Sequence, residues 1–183
     1  MFQFEPGDVI FTADKTLTSF LIKQRQGDFA YSHVCIAAGD GTIYTTGASG
    51  PPFYRYGMVD ANTYLAGKKY KVKRYLGLTS PQKTMLLLSA QSLMGKVYNI
   101  VGLLWLNVLA FKGTVVKKLG NKPKFNFNYA VFCTQSVAYC FWKTGIQLNP
   151  EAGKEDPTAY TLESIYYDPN LKTVFRQDKA IHE

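Results

Sequence analysis

The sequence predicts an α+β domain, an antiparallel sheet with helices packed against it. Three observations predict it. Tyr31 to Ala38 alternates as a strand does, runs into Gly39-Asp40-Gly41 and returns from Thr42 to Thr46, which reads as a hairpin. Thr79-Ser80-Pro81 is a helix-start signal with proline at the first helical position, and that helix runs to about Met94 before Gly95. Cys133 to Thr144 is helical because Cys133, Val137, Cys140 and Phe141 fall on one stripe, and Gly145 ends it.

The other elements follow in order. Gly7-Asp8-Val9-Ile10-Phe11 reads as a short buried strand entered through a turn. Asp14 caps a helix whose apolar face is Leu17, Phe20 and Leu21, with Gly27 as its stop. Tyr54 to Asn62 is loop-like. Lys68 to Leu76 alternates charge with Tyr70 and Val72, the pattern of a strand half exposed to water. Val97 to Phe111 reads as a second apolar helix, and Lys112 to Asn128, basic and rich in Gly and Asn, as a loop. The remainder, with Asp156-Pro157 and Asp168-Pro169, is irregular apart from one short strand near Thr173 to Phe175. No internal repeat or low-complexity tract divides the chain, so residues 1–183 are expected to form one domain with enough material for a core.

Apolar residues make up 46% and aromatics 15% of the chain, which excludes a disordered class. The net charge of +8 favours anionic partners such as nucleic acid, acidic lipid or a cell-wall polymer, although many soluble proteins are basic without one. Three cysteines do not complete a disulfide set, and none stands at metal-ligand spacing. With only two histidines, one next to last, the sequence argues against a zinc site, and no cofactor is expected. The N-terminus lacks the basic and apolar runs of a signal peptide, and Ile100 to Phe111 is too short to span a bilayer. The expected location is therefore a reducing cytosol, with free thiols; export by another route stays open.

Two residues point to chemistry. His33 lies in the alternating stretch, and Cys133 sits where a loop gives way to a helix. Unpaired N–H groups and the positive end of the helix dipole favour a thiolate at such a position, and an imidazolium beside it favours it further. A histidine on a strand and a cysteine at a helix start is how a thiol hydrolase is built when its residues meet in space. Taken alone, each has a blander reading: most free cysteines are structural, and a lone histidine is most often a satisfied, half-buried one. Cys140, two turns further along the core stripe, fits the structural role.

His33, Cys35 and Ala37 share one strand face, and the small side chains leave room for another element such as a helix end. Cys35 is the rival nucleophile. It lies about 7 Å along the strand with its side chain parallel to that of His33, poor geometry for attack, so it reads as a packing residue. The group that orients the imidazole is expected on the return strand. A two-residue loop puts Thr46 on the histidine face, and a three-residue loop puts Thr45 there.

In these motifs the chain resembles the NlpC/P60 superfamily of papain-like cysteine hydrolases, in its circularly permuted YiiX/YebB-like branch, where the histidine strands precede the cysteine helix. Gly7 to Phe11 looks like the opening strand, Ser32-His33-Val34 through Ile43 the histidine hairpin, and Gly95-Lys96-Val97-Tyr98-Asn99 the segment with a tyrosine near the active site. Phe132-Cys133-Thr134-Gln135-Ser136-Val137-Ala138-Tyr139 resembles the nucleophile helix, and Asp156-Pro157-Thr158 to Leu162 a proline-containing C-terminal motif. The resemblance implies a permuted papain-like fold, an antiparallel sheet or half-barrel against helices, with Cys133 as nucleophile, His33 as base and Tyr98 near the oxyanion. The third position, usually His, Glu, Asn or Gln, is Thr45 here, and the usual aspartate after the tyrosine is Asn99.

The implied activity is hydrolysis of an amide bond in a peptide or cell-wall peptide through an acyl-enzyme. Two rivals stand beside it. A lipid-directed acyltransferase or deacylase would act on a lipid-linked acyl substrate and line an acyl groove with Val97 to Phe111. A non-catalytic binding module would use Lys68, Lys69, Lys71, Lys73 and Arg74 on an anionic surface. Such a charge run is usually a solvated or edge-protecting face. No aromatic base-stacking platform accompanies it, so a specific nucleic-acid partner is not expected.

Overall fold

The computed structural model describes residues 2–13, 29–48, 54–98, 130–149 and 160–177. Its elements are β1 (Val9–Ala13), β2 (His33–Ala37), β3 (Thr42–Thr46), β4 (Tyr56–Asp60), α1 (Ala61–Leu65), β5 (Lys69–Tyr75), α2 (Ser80–Ser92), β6 (Val97–Tyr98), β7 (Ala130–Val131), α3 (Cys133–Lys143), α4 (Leu162–Tyr166) and β8 (Leu171–Gln177). Six strands form one open sheet in the order β4-β3-β2-β1-β5-β8, every pair antiparallel, and β6 and β7 form a small parallel pair. The α+β class is the one expected.

Position in the sheet explains each strand's composition. β1 and β2 are central and covered on both faces, so their residues are buried almost without alternation. β4 is an edge strand, and burial alternates along it from Tyr56 to Asp60. On one face Val9, Phe11, Val34, Ile36 and Tyr44 meet Leu86 and Ala90 of α2, Val137 and Phe141 of α3, and Leu162 and Ile165 of α4. On the other, Ile10, Cys35, Ala37, Ile43 and Val72 meet Ala61 and Leu65 of α1 and Phe4 from the N-terminal segment.

Local signals set the helix starts. Thr79 caps α2 in a reciprocal box with Gln82, and proline occupies the second position rather than the first. The helix is followed by Gly95 at φ 81°, as Gly145 at φ 80° follows α3. Four sequence expectations need correction. Tyr54 to Asn62, read as a loop, holds β4 and the start of α1. Val97 and Tyr98, read as the start of an apolar helix, form β6, because Val97 bridges Arg55 and the pair lies alongside β7. The strand near Thr173 is the seven-residue β8. The stretch before it, read as irregular, contains α4, capped by Thr161 and Ser164 in exchange. The helix expected after Asp14, the rest of Val97 to Phe111, the basic loop to Asn128 and Asp156-Pro157-Thr158 lie outside the described residues. Among the described residues no helix is long and apolar enough to cross a membrane.

Candidate active site

The imidazole side of the site is fixed by a hairpin. Ala38 N–H donates to Thr42 O (2.9 Å), leaving Gly39, Asp40 and Gly41 as a three-residue loop. Asp40 Oδ1 accepts from the hydroxyl (2.6 Å) and the N–H (3.0 Å) of Thr42, bonds that hold its carboxyl below the usual range. Gly39 and Gly41 take φ of 94° and 87°, open to glycine at little strain. This register decides between the two threonines: Thr45 shares the face of His33, and Thr46 points the other way. His33 Nε2 and Thr45 Oγ1 are 2.8 Å apart, both residues buried.

Thr45 has two further neighbours. Its Oγ1 lies 3.2 Å from Thr46 O and 3.4 Å from the Tyr64 hydroxyl. The Tyr64 ring stands 6.4 Å from the His33 ring, and Lys68 Nζ sits 3.5 Å above the Tyr64 ring centroid, a cation–π contact. Sequence reasoning missed Tyr64 because it read the segment before it as loop. The available signal was Asp60, whose carboxylate accepts from the N–H and hydroxyl of Thr63, both at 2.7 Å, and so starts α1. Those two bonds also hold the Asp60 carboxyl below its usual range.

The thiol side is built from β6, β7 and α3. Phe132 precedes α3 and has no capping side chain, so the Gln135 amide turns back to accept its N–H (3.2 Å). Cys133 is the first residue of α3, 4% exposed, and its carbonyl accepts from Ser136 Oγ (2.7 Å). The helix dipole therefore acts on this sulfur. Cys140 is buried in the core, where desolvation pushes its thiol well up. None of the three cysteines is in a disulfide.

Pairing brings the two sides to one end of the sheet. β2, β3 and β4 alternate in direction, so the end holding His33 also holds Thr46 and Tyr56. Next to Tyr56, Arg55 bridges Val97, and Tyr56 N–H donates to Lys96 O (2.8 Å). In β6 the Tyr98 backbone lies opposite Val131 of β7, two residues before Cys133. His33, the Tyr98 backbone and the start of α3 thus share that end. They do not share a face. α3 packs on the Val34–Ile36 side of β2, whereas His33 belongs with Cys35 and Ala37, and the helix that covers those small residues is α1. Cys35 Sγ–H donates to Ile10 O (3.5 Å) on that side, in keeping with a packing residue.

Three cations of β5, Lys71, Lys73 and Arg74, are bonded within the fold. Lys71 Nζ bonds the Tyr166 hydroxyl and Lys73 Nζ the Tyr166 carbonyl. Lys73 is buried, which lowers its ammonium's pKa, against the opposing pull of Asp168. Arg74 pairs with Asp8 (2.7 Å) and with Glu5, which also receives Lys83 (3.0 Å).

No protein-family model and no curated protein matches this chain. Among solved structures it is similar to the metalloprotein yiiX from Escherichia coli O157:H7 (DUF1105), with a TM-score of 0.64 and 20% identity over 96% of this chain and 99% of that one. The fold is YiiX-like. The likeness covers nearly the full length of both chains. Whether a metal suits this chain is a question for its own donors. The neighbours of His33 described above are hydroxyls, weak ligands for a transition metal, and among the described residues no three His, Cys, Asp or Glu side chains come together.

Proposed function

We propose that this chain is a cysteine hydrolase on a permuted papain-like fold, cleaving an amide bond in a peptide or cell-wall peptide. The observation that carries the proposal is the convergence at one end of the sheet: a histidine hydrogen-bonded to Thr45 and a cysteine at the first position of α3. On this reading thiol and imidazole would have to meet around the start of β2 rather than through the sheet.

The Cys133 thiolate attacks the carbonyl carbon; the C–S bond forms and the carbonyl electron pair moves to oxygen. The Cys133 N–H, in the first turn of the helix, holds that oxyanion, with Tyr98 as the second candidate donor. The His33 imidazolium gives its proton to the leaving nitrogen as the C–N bond breaks. In the second half, neutral His33 takes a proton from water, whose oxygen attacks the thioester and releases the acid and the thiolate. Thr45 keeps the imidazole oriented through both halves.

A non-catalytic module has two observations in its favour, the low exposure of Cys133 and the packing of α3 on the face of β2 opposite to His33. The inward-turned cations of β5 lend it little support. Alkylation by iodoacetamide against pH, mapped to each cysteine by mass spectrometry, separates the two readings. Cys133 is expected to react well below the pH of an ordinary thiol, about 8.5, to lose that reactivity in His33→Ala, and to leave Cys140 unmodified. A Cys133 that is inert, or indifferent to His33, overturns the hydrolase.

A further inference from the structure

The charges of this chain are unevenly placed along it. Between Asp60 and Glu151 there is no Asp or Glu, against 13 Lys and Arg, and all 13 acidic residues lie outside that stretch. Like charges add in such a region, since no acidic neighbour in sequence cancels them. The stretch contains α2 and α3. Both cover the same side of the sheet, α2 with Leu86, Ala90 and Leu93, α3 with Val137 and Phe141. They lie side by side and antiparallel. Gln82 Nε2–H donates to Thr144 O (3.4 Å) where α2 begins and α3 ends, and Val97, just after α2, pairs with Ala130, just before α3. Met85 follows Gln82 by three residues and so shares its flank, toward α3. One turn on from Gln82 is level with one turn back from Thr144, which sets Met85 at the height of Trp142. Met85 is 48% exposed, Leu88, one turn further, 54%, and Trp142, on the side of α3 away from the sheet, 50%.

Around this apolar seam the surface is neutral or positive. Thr84, Gln91 and Ser92 occupy the rest of the outer side of α2, and neither helix contains an acidic residue. Tyr139 lies beside Trp142, ring centroids 6.4 Å apart, and Lys143 Nζ stands 5.7 Å from each ring centroid. We infer that the outer face of α2 and α3 docks on an anionic lipid bilayer. Met85, Leu88 and Trp142 enter the boundary between headgroups and acyl chains, where a tryptophan ring is at home, and Lys143 extends from the rings to the lipid anions. Nucleic acid is the other polyanion that such charge attracts. Exposed Met and Leu side chains find nothing to bury against on a phosphate backbone, whereas a bilayer takes up both the charge and the apolar surface. Lys71, Lys73 and Arg74 take no part, being bonded within the fold. The inference stands apart from the hydrolase reading, because it requires no reaction at Cys133.

The test is co-sedimentation of the full chain with vesicles of phosphatidylcholine, alone or with about one third phosphatidylserine. Binding is expected only with phosphatidylserine and should weaken as salt rises, because the attraction is screened. Leu88→Gln and Trp142→Gln should each weaken it about tenfold, the worth of keeping one apolar side chain out of the bilayer. Lys143→Gln should weaken it about fivefold. Lys172→Gln, which removes the same charge from β8, should leave it unchanged. All four positions are exposed, so urea midpoints are expected to stay at the wild-type value. A second readout needs no loss of binding: in Trp105→Phe, brominated lipid should quench the fluorescence of Trp142, then the only tryptophan. Three results overturn the inference: no sedimentation with phosphatidylserine vesicles, equal sedimentation with phosphatidylcholine alone, or sedimentation indifferent to Leu88→Gln and Trp142→Gln. A DNA duplex bound in place of the vesicles, or a dimer that Leu88→Gln dissolves while vesicles stay unbound, overturns it too and names the other occupant. Nothing in this assay reads turnover, so its failure and that of the hydrolase are told apart.

Discussion

The two faces of β2 are built from different materials. Under α2, α3 and α4 lie large apolar side chains, with Phe11, Ile36, Leu86 and Phe141 fully buried. Under α1 lie His33, Cys35 and Ala37, covered by a five-residue helix and the Thr45–Tyr64 pair. The first face holds the fold together, and the second holds a polar group in one orientation. Such a division lets the candidate imidazole sit beside a thinner layer, next to the hydroxyls of Thr45 and Tyr64, without thinning the larger core.

The sharpest way to break the comparison is to cut into both faces. Phe141→Ala should cost about 3–5 kcal/mol in urea unfolding, because α2, α3 and the sheet enclose the ring and cannot close on the void. Leu65→Ala should cost about 2–3 kcal/mol, since α1 is short and can settle inward. Equal losses would show that α1 is as firmly seated as α3.

Next in size is Gly39→Ala. A Cβ there would lie 2.4 Å from Pro6 Cδ, on a backbone at φ 94°, so the hairpin would have to shift. The expected loss is about 2–3 kcal/mol, accompanied by a changed His33 tautomer if the loop sets the register of Thr45. A stability loss with an intact tautomer, read by long-range ¹H–¹⁵N NMR of the imidazole nitrogens, would separate loop from register.

The smallest effect is on the thick face and depends on pH. Burial holds the Tyr56 phenol and the Cys140 thiol above their ordinary values of 10.0 and 9.0. The unfolded chain ionises at those ordinary values while the folded chain does not. Stability is therefore full below about pH 9 and falls as pH rises beyond it. Thermal melts of Tyr56→Phe and Cys140→Ala should show a shallower alkaline decline than wild type. The Tyr56 hydroxyl is buried, and the neighbour it has is Ser136 Oγ, which gives its own hydrogen to Cys133 O and so can only accept from the phenol in a bond of poor geometry. At pH 7 Tyr56→Phe should thus change stability by less than about 1 kcal/mol, in either direction.

Much of this was legible in the residues, for identifiable reasons. Gly39-Asp40-Gly41 announces a hairpin, and Thr79 with Gln82 announces a helix, because turn and cap chemistry is local. Cys133 is legible as a helix start because Gly145 and the apolar stripe fix the frame. The choice between Thr45 and Thr46 needed the loop length, which three turn-prone residues leave open. β4 was missed because an edge strand with Gly57 in it lacks a continuous apolar signal. The lysines of β5 looked like a solvated face, since nothing local announces that Tyr166, some 90 residues on, comes back to cover them. That His33 and α3 occupy different faces is likewise a matter of packing, which periodicity alone does not assign.

The order of the strands also bears on how the protein is made. Five of the six sheet strands are complete by Tyr75, so the hairpin with His33 and Thr45 is translated well before the thiol. At 5–20 residues per second, roughly 3–12 s of synthesis separate Tyr75 from Cys133. A ribosome therefore releases the imidazole, its threonine and Tyr64 first, and the sulfur emerges into surroundings already specified. A nascent chain halted in that interval carries His33, Thr45 and Tyr64 but not Cys133.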